Sequence, residues 1–121
     1  MLELATSCRE ITLIYISDSV RAKKTLALAR TKELPIHGID LLKTRMTGEQ
    51  LAEVAERLHL PIKELVNQEH PYFKTHFGHL DLSDMDWLTT IEHNPQILKQ
   101  PIAICGDKAV LVDTPTDIFK L

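Results

Sequence analysis

The stretch ITLIYISDSVRAKKTLALARTKELPIHGIDLL (residues 11–42) decides the fold. Its first seven residues, ITLIYIS (11–17), are β-branched and apolar over a strand's length, and the unbroken apolarity predicts burial on both faces. A short polar turn follows. Ala22, Leu26 and Ala29 then recur at helical spacing beside Arg21, Lys23 and Lys24. That helix is predicted to stop before Pro35, and IHGIDLL (36–42) reads as a second strand. Strand, helix and strand with short connections form a βαβ unit, expected to be parallel and right-handed.

Downstream the chain turns helical. Thr47 and Gln50 form a capping box, followed by Leu51, Val54, Ala55 and Leu58 on one helical face. PIKELV (61–66) reads as another short helix and NQEHPYFKTHFGH (67–79) as a loop. Ser83 caps DMDWLTTIEH (84–93), on which Trp87 and Ile91 fit a core-facing stripe. The end returns to strands. PIAIC (101–105), the turn Gly106-Asp107 and KAVLVD (108–113) predict a β-hairpin. Thr114-Pro115-Thr116-Asp117 opens a terminal helix with proline at its first position, which Ile118 to Leu121 complete. The order is β-α-β, helical insert, β-β-α, an α/β chain with a mixed four-stranded sheet. There are no internal repeats and no low-complexity segment.

At 121 residues the chain is long enough for one domain with its own core. Apolar residues make up 44%, charged residues 26%, and the net charge is −3 with both signs interspersed. That distribution argues against broad nucleic-acid binding, which needs a basic face. MLELATSCRE has no apolar core of a secretory signal, and nothing approaches the ~18 apolar residues of a membrane span. Cys8 and Cys105 are the two cysteines and form no CxxC pair. Two widely spaced thiols fit a reducing compartment, so a cytoplasmic protein is expected.

Residue runs narrow the fold further. HNPQILKQPIAI (93–104), followed by the hairpin and DTPTDIF (113–119), resembles the carboxyl-terminal signature of the ArsC/Spx family. These are glutaredoxin-linked arsenate reductases and their regulatory relatives. LVNQEHPYFK (65–74) resembles the segment before that family's second half, and YISDSVRAKKTL (15–26) sits where it carries its catalytic cysteine. The resemblance implies one domain over 1–121 with a thioredoxin-like fold. Its halves would span about 9–42 and 99–121, around a helical insert at about 43–98.

Position by position, the resemblance places the nucleophilic cysteine at Ser19 and the second cysteine of CxxC members at Ala22. The oxyanion-holding arginines of the reductases fall near Val66, on Gln100 and on Thr114, none of them basic. Lys23 and Lys24 keep cations beside the turn. Pro101 falls on the family's cis proline. No cofactor is expected. The resemblance therefore implies a member without thiol redox catalysis that binds or regulates, with another protein as partner. The alternative is an oxidoreductase of the arsenate-reductase type, or one working through Cys8.

The residues themselves favour simple roles. A serine hydroxyl needs a neighbouring base to act as nucleophile, and none is evident. Ser19 or Asp18 is then a helix cap. Between cap and nucleophile stands weak anion binding by Ser17, Asp18, Ser19, Lys23 and Lys24, at free helix-start N–H groups. Cys105, with apolar neighbours, reads as a small core residue near the start of the first strand; the less favoured reading is a redox pair with Cys8, which precedes that start by three residues. His70, His76 and His79 lack the carboxylates or thiols that would complete a metal site, so no metal is expected.

Overall fold

The computed structural model describes residues 10–78 and 80–121. One compact unit holds the chain up to Thr44 together with Gln100–Leu121, and a second holds Arg45–Lys99.

The first unit is built on strand β1 (Ile11–Tyr15). The parallel neighbour of β1 is β2 (Ile36–Asp40), with Ile11 opposite Ile36 and Tyr15 opposite Asp40. On its other side runs β3 (Ile102–Cys105), antiparallel, with Thr12 opposite Ile104 and Ile14 opposite Ile102. β4 (Lys108–Leu111) closes the hairpin, and the sheet order is β2-β1-β3-β4. Gly106 takes φ 63° in the hairpin turn, the left-handed region that a Cβ disfavours. Helix α1 (Val20–Thr31) crosses over between β1 and β2. Side chains of a strand alternate between faces, and Ile11, Thr12, Leu13 and Ile14 are all buried, so β1 is covered on both. Ile11, Leu13, Ala29, Ala103, Cys105, Val112 and Ile118 form one apolar cluster between sheet, α1 and the carboxyl-terminal turn.

Both parallel strands are shorter than the apolar runs that predict them. They end at Tyr15 and Asp40 because the N–H groups of Ile16, Ser17 and Leu42 turn to side-chain acceptors. The predicted terminal helix is a 3-10 helix over Pro115–Lys120. The Asp117 carboxylate accepts from the N–H of Asp113 at 2.9 Å and of Thr114 at 3.1 Å, and pairs with Lys120 at 2.9 Å.

The second unit contains α2 (Gly48–Leu58), a 3-10 turn at Ile62–Leu65, α3 (Pro71–His76), α4 (Asp84–His93) and a 3-10 turn at Pro95–Ile97. The Thr47–Gln50 capping box is formed in both directions. Leu51, Val54, Trp87 and Ile91 are buried, and Trp87 stacks on Phe73 with ring centroids 5.8 Å apart. The Val66–Leu98 bridge ties the middle of this unit to its carboxyl end.

One expectation fails here. Residues 67–79 are not a loop throughout, because Pro71–His76 is helical. His70 Nδ1 accepts the N–H of Tyr72 at 3.1 Å, and Pro71 occupies the first helical position, where no N–H is needed.

The Lys120 partnership, with the Thr114 and Asp113 N–H groups, lowers the Asp117 carboxyl from 3.8 to about 2. A carboxylate held below its unfolded pKa contributes stability above that value and loses it as pH falls through the folded one. The expected outcome is a decline in stability between about pH 4 and pH 2 that is shallower in Asp117→Asn, checked by urea denaturation at stepped pH.

Candidate functional site

The site lies at the carboxyl ends of the parallel strands, where β1 runs into α1. Ser19, with extended backbone, is the N-cap of α1, and its Oγ accepts the Ala22 N–H at 3.2 Å. Its carbonyl accepts from Lys23 N–H at 3.1 Å, and its own N–H donates to Ile16 O at 3.0 Å. The hydroxyl is thus an acceptor within the turn. Among the described residues no histidine or carboxylate hydrogen-bonds to it. Ala22 is fully buried beneath the helix start.

Other N–H groups of the turn are also occupied. Ile16 N–H donates to Gln100 Oε1 and Ser17 N–H donates to Asp40 Oδ1, each at 3.3 Å. The N–H groups of Asp18, Val20 and Arg21 have no hydrogen-bond partner among the described residues. Arg21, Lys23 and Lys24 are exposed around them, as is Asp18. Three partial positive charges and mobile cations can hold an anion weakly.

Asp40 opposes that anion, and sequence reasoning missed it. It is buried at the end of β2, where its Oδ1 receives Ser17 N–H and, at 3.0 Å, Leu42 N–H. Burial pushes its pKa up. The Leu42 N–H, the Ser17 hydroxyl and N–H, and the Lys43 charge outweigh burial and leave it below the ordinary value. A retained negative charge therefore lies within hydrogen-bond distance of the turn. The available signal was an acid inside the apolar run IHGIDLL.

The positions that the resemblance assigned to arginines are otherwise engaged. Gln100 holds Ile16 as described, and the Gln100–Pro101 bond is cis with Pro101 buried. Thr114 is the N-cap of the last helical turn. Val66, in the second unit, is buried in its bridge to Leu98. Two large apolar side chains near the turn stay exposed: Val20 at 63% and Leu42 at 55%.

Remaining candidates lie elsewhere. Cys105 is 5% exposed and is disulfide-bonded, which corrects its reading as a simple core thiol. Cys8 and His79 lie outside the described residues. His70 caps α3, and His76 stacks on Tyr72 at 4.0 Å. Among the described residues no three metal-binding side chains converge, and no helix is long and apolar enough to cross a membrane.

No protein-family model matches the sequence, and no curated protein matches it. Solved structures do. A candidate arsenate reductase from Yersinia pestis superposes with a TM-score of 0.85 at 19% identity, covering 93% of this chain and all of that one. This chain shares its fold. An arsenate reductase from Vibrio cholerae gives 0.82 at 19% identity, over 92% and 96% of the two chains. An ArsC-related protein from Brucella melitensis gives 0.71 at 17% identity, over 97% and 100%. The mixed four-stranded sheet with its helices is thus the thioredoxin-like arrangement of those proteins.

The double acceptance by Asp40 should be measurable. Asp40→Ala strands two backbone donors and is expected to cost about 1–3 kcal/mol. Hydrogen exchange at Ser17 and Leu42 should accelerate together, while exchange at Leu13 follows only the global loss.

Proposed function

We propose that this chain is an ArsC/Spx-related protein that has lost thiol redox catalysis and acts as a binding or regulatory module in the cytoplasm. One observation carries the reading: the Ser19 hydroxyl caps α1, and among the described residues no histidine or carboxylate hydrogen-bonds to it. A thiol at a helix start can be ionised by the helix and nearby cations, whereas a serine hydroxyl cannot. Asp40 adds to the argument, because its carboxylate repels a second anion where a reductase must hold arsenate.

The partner in this reading is another protein. Val20 and Leu42 are exposed apolar side chains, and Arg21, Lys24 and Lys43, close to them in sequence, are exposed cations. Surfaces with an apolar centre and polar rim are what protein partners cover.

The deciding experiment is an arsenate reduction assay with glutathione and glutaredoxin supplied. No turnover above background is expected. Robust turnover, abolished by changing Cys8, would establish the oxidoreductase instead.

A second measurement addresses the turn itself. Phosphate or sulfate is expected to shift the amide resonances of residues 18–22 with millimolar affinity at best. Replacing Lys23 and Lys24 by Gln should weaken that shift, as should added salt. If the resonances stay fixed while Ser19→Ala lowers stability by about 0.5–2 kcal/mol, the turn serves as a cap alone.

A further inference from the structure

We propose that this chain self-associates through helix faces of opposite charge, α1 of one copy lying antiparallel against α2 of a second. On α2, Glu49, Ala52 and Glu56 stand at steps of three and four residues, which places them on one face of the helix. On α1, Arg30, Ala27 and Lys23 stand at the same steps read backwards, as an antiparallel register requires. All six are exposed except Ala52, which is half-buried. Among the described residues Lys23, Arg30, Glu49 and Glu56 join no ion pair, whereas Glu53 already pairs with Arg57.

In that register Arg30 meets Glu49, Ala27 meets Ala52 and Lys23 meets Glu56. Each alanine carries a single methyl, so the two helix axes can approach to the ~8 Å of a close contact, within reach of the long charged side chains on either side. The helix ends sharpen the match. Lys23 lies in the first turn of α1, whose free N–H groups carry partial positive charge, and no acid stands in that turn. Glu56 lies in the last turn of α2, beside its partial negative end. Each charge is repelled by the end of its own helix and attracted by the end of the other, so the pairing relieves both. Nucleic acid fits this face less well, because a phosphate backbone leaves Val20 and Ala27 uncovered and the chain carries a net charge of −3.

A contact of about three helical turns is far smaller than the ~1,600 Å² of a stable complex, so the association is weak and responds to concentration and salt. Val20, 63% exposed, lies one turn before Lys23 on the same face of α1. It is one of the apolar side chains assigned above to a protein partner, so self-association and partner binding exclude one another there. Nothing in the pairing depends on the Ser19 hydroxyl, and its test is separate from the arsenate assay.

The test is sedimentation velocity on the full chain from about 10 μM to about 1 mM protein. In ~20 mM salt the weight-average sedimentation coefficient should rise with concentration, and ~0.5 M salt should abolish the rise. Lys23→Glu combined with Arg30→Glu should leave a monomer, as should Glu49→Lys combined with Glu56→Lys. Mixing these two double variants should restore association, because the acidic α1 of one now faces the basic α2 of the other. Glutamine in place of the same charges should weaken the rise, which keeps the test valid should a charge reversal unfold the chain. A wild-type chain that stays monomeric in low salt would overturn the proposal. So would association that survives either double variant, or folded variants that fail to associate on mixing.

Discussion

β1 is bordered on both sides and covered on both faces, and this double enclosure governs the first unit. Its outer donors and acceptors pair with β2 in parallel and with β3 in antiparallel fashion. A strand so placed can carry no charged side chain, which is why ITLIY is uniformly apolar apart from the hydroxyls of Thr12 and Tyr15. Mixed pairing also fixes the chain's course. The parallel partner requires the α1 crossover, and the antiparallel partner must arrive from the far end of the sequence.

Once β1 ends, its backbone must find other acceptors. Gln100 and Asp40 provide them for Ile16 and Ser17, so residues from two separate segments converge on two consecutive positions. This convergence makes the turn rigid at its base and open at Asp18, Val20 and Arg21. The geometry suits display of a fixed surface. It also holds the Asp40 carboxylate, with its charge retained, against the base of the turn.

Much of this was legible in the sequence because the signals were periodic or chemically redundant. The βαβ unit, the Thr47–Gln50 box and the Gly106 hairpin each combine pattern with a turn or cap residue. The α3 helix was not legible, since six residues give too little periodicity and its cap is a histidine, outside the usual Ser, Thr, Asp and Asn set. Asp40 was missed for another reason. A lone acid at a strand end reads as a solvated boundary, and its role depends on Ser17, a residue 23 positions away. Ser19, by contrast, did what its residue type implies. The arginine positions could be named but not interpreted, because the roles of Gln100 and Thr114 depend on distant backbone.

The interrupted build of the first unit shapes how the chain must fold. Thr12 meets Ile104 about ninety positions away, so the central pairing carries a heavy loop-closure cost before any sheet contact rewards it. The second unit is contiguous from Arg45 to Lys99, so its contacts close shorter stretches of chain than the central sheet pairing does. Shorter closures cost less chain entropy, which favours forming such a segment first. Its later part is clasped by the Val66–Leu98 bridge and by Lys99 N–H on Leu65 O at 2.7 Å. A clasp over residues 65–99 shortens the effective tether between the halves of the sheet. The helical segment is thus a kinetic spacer, turning one long closure into two shorter ones.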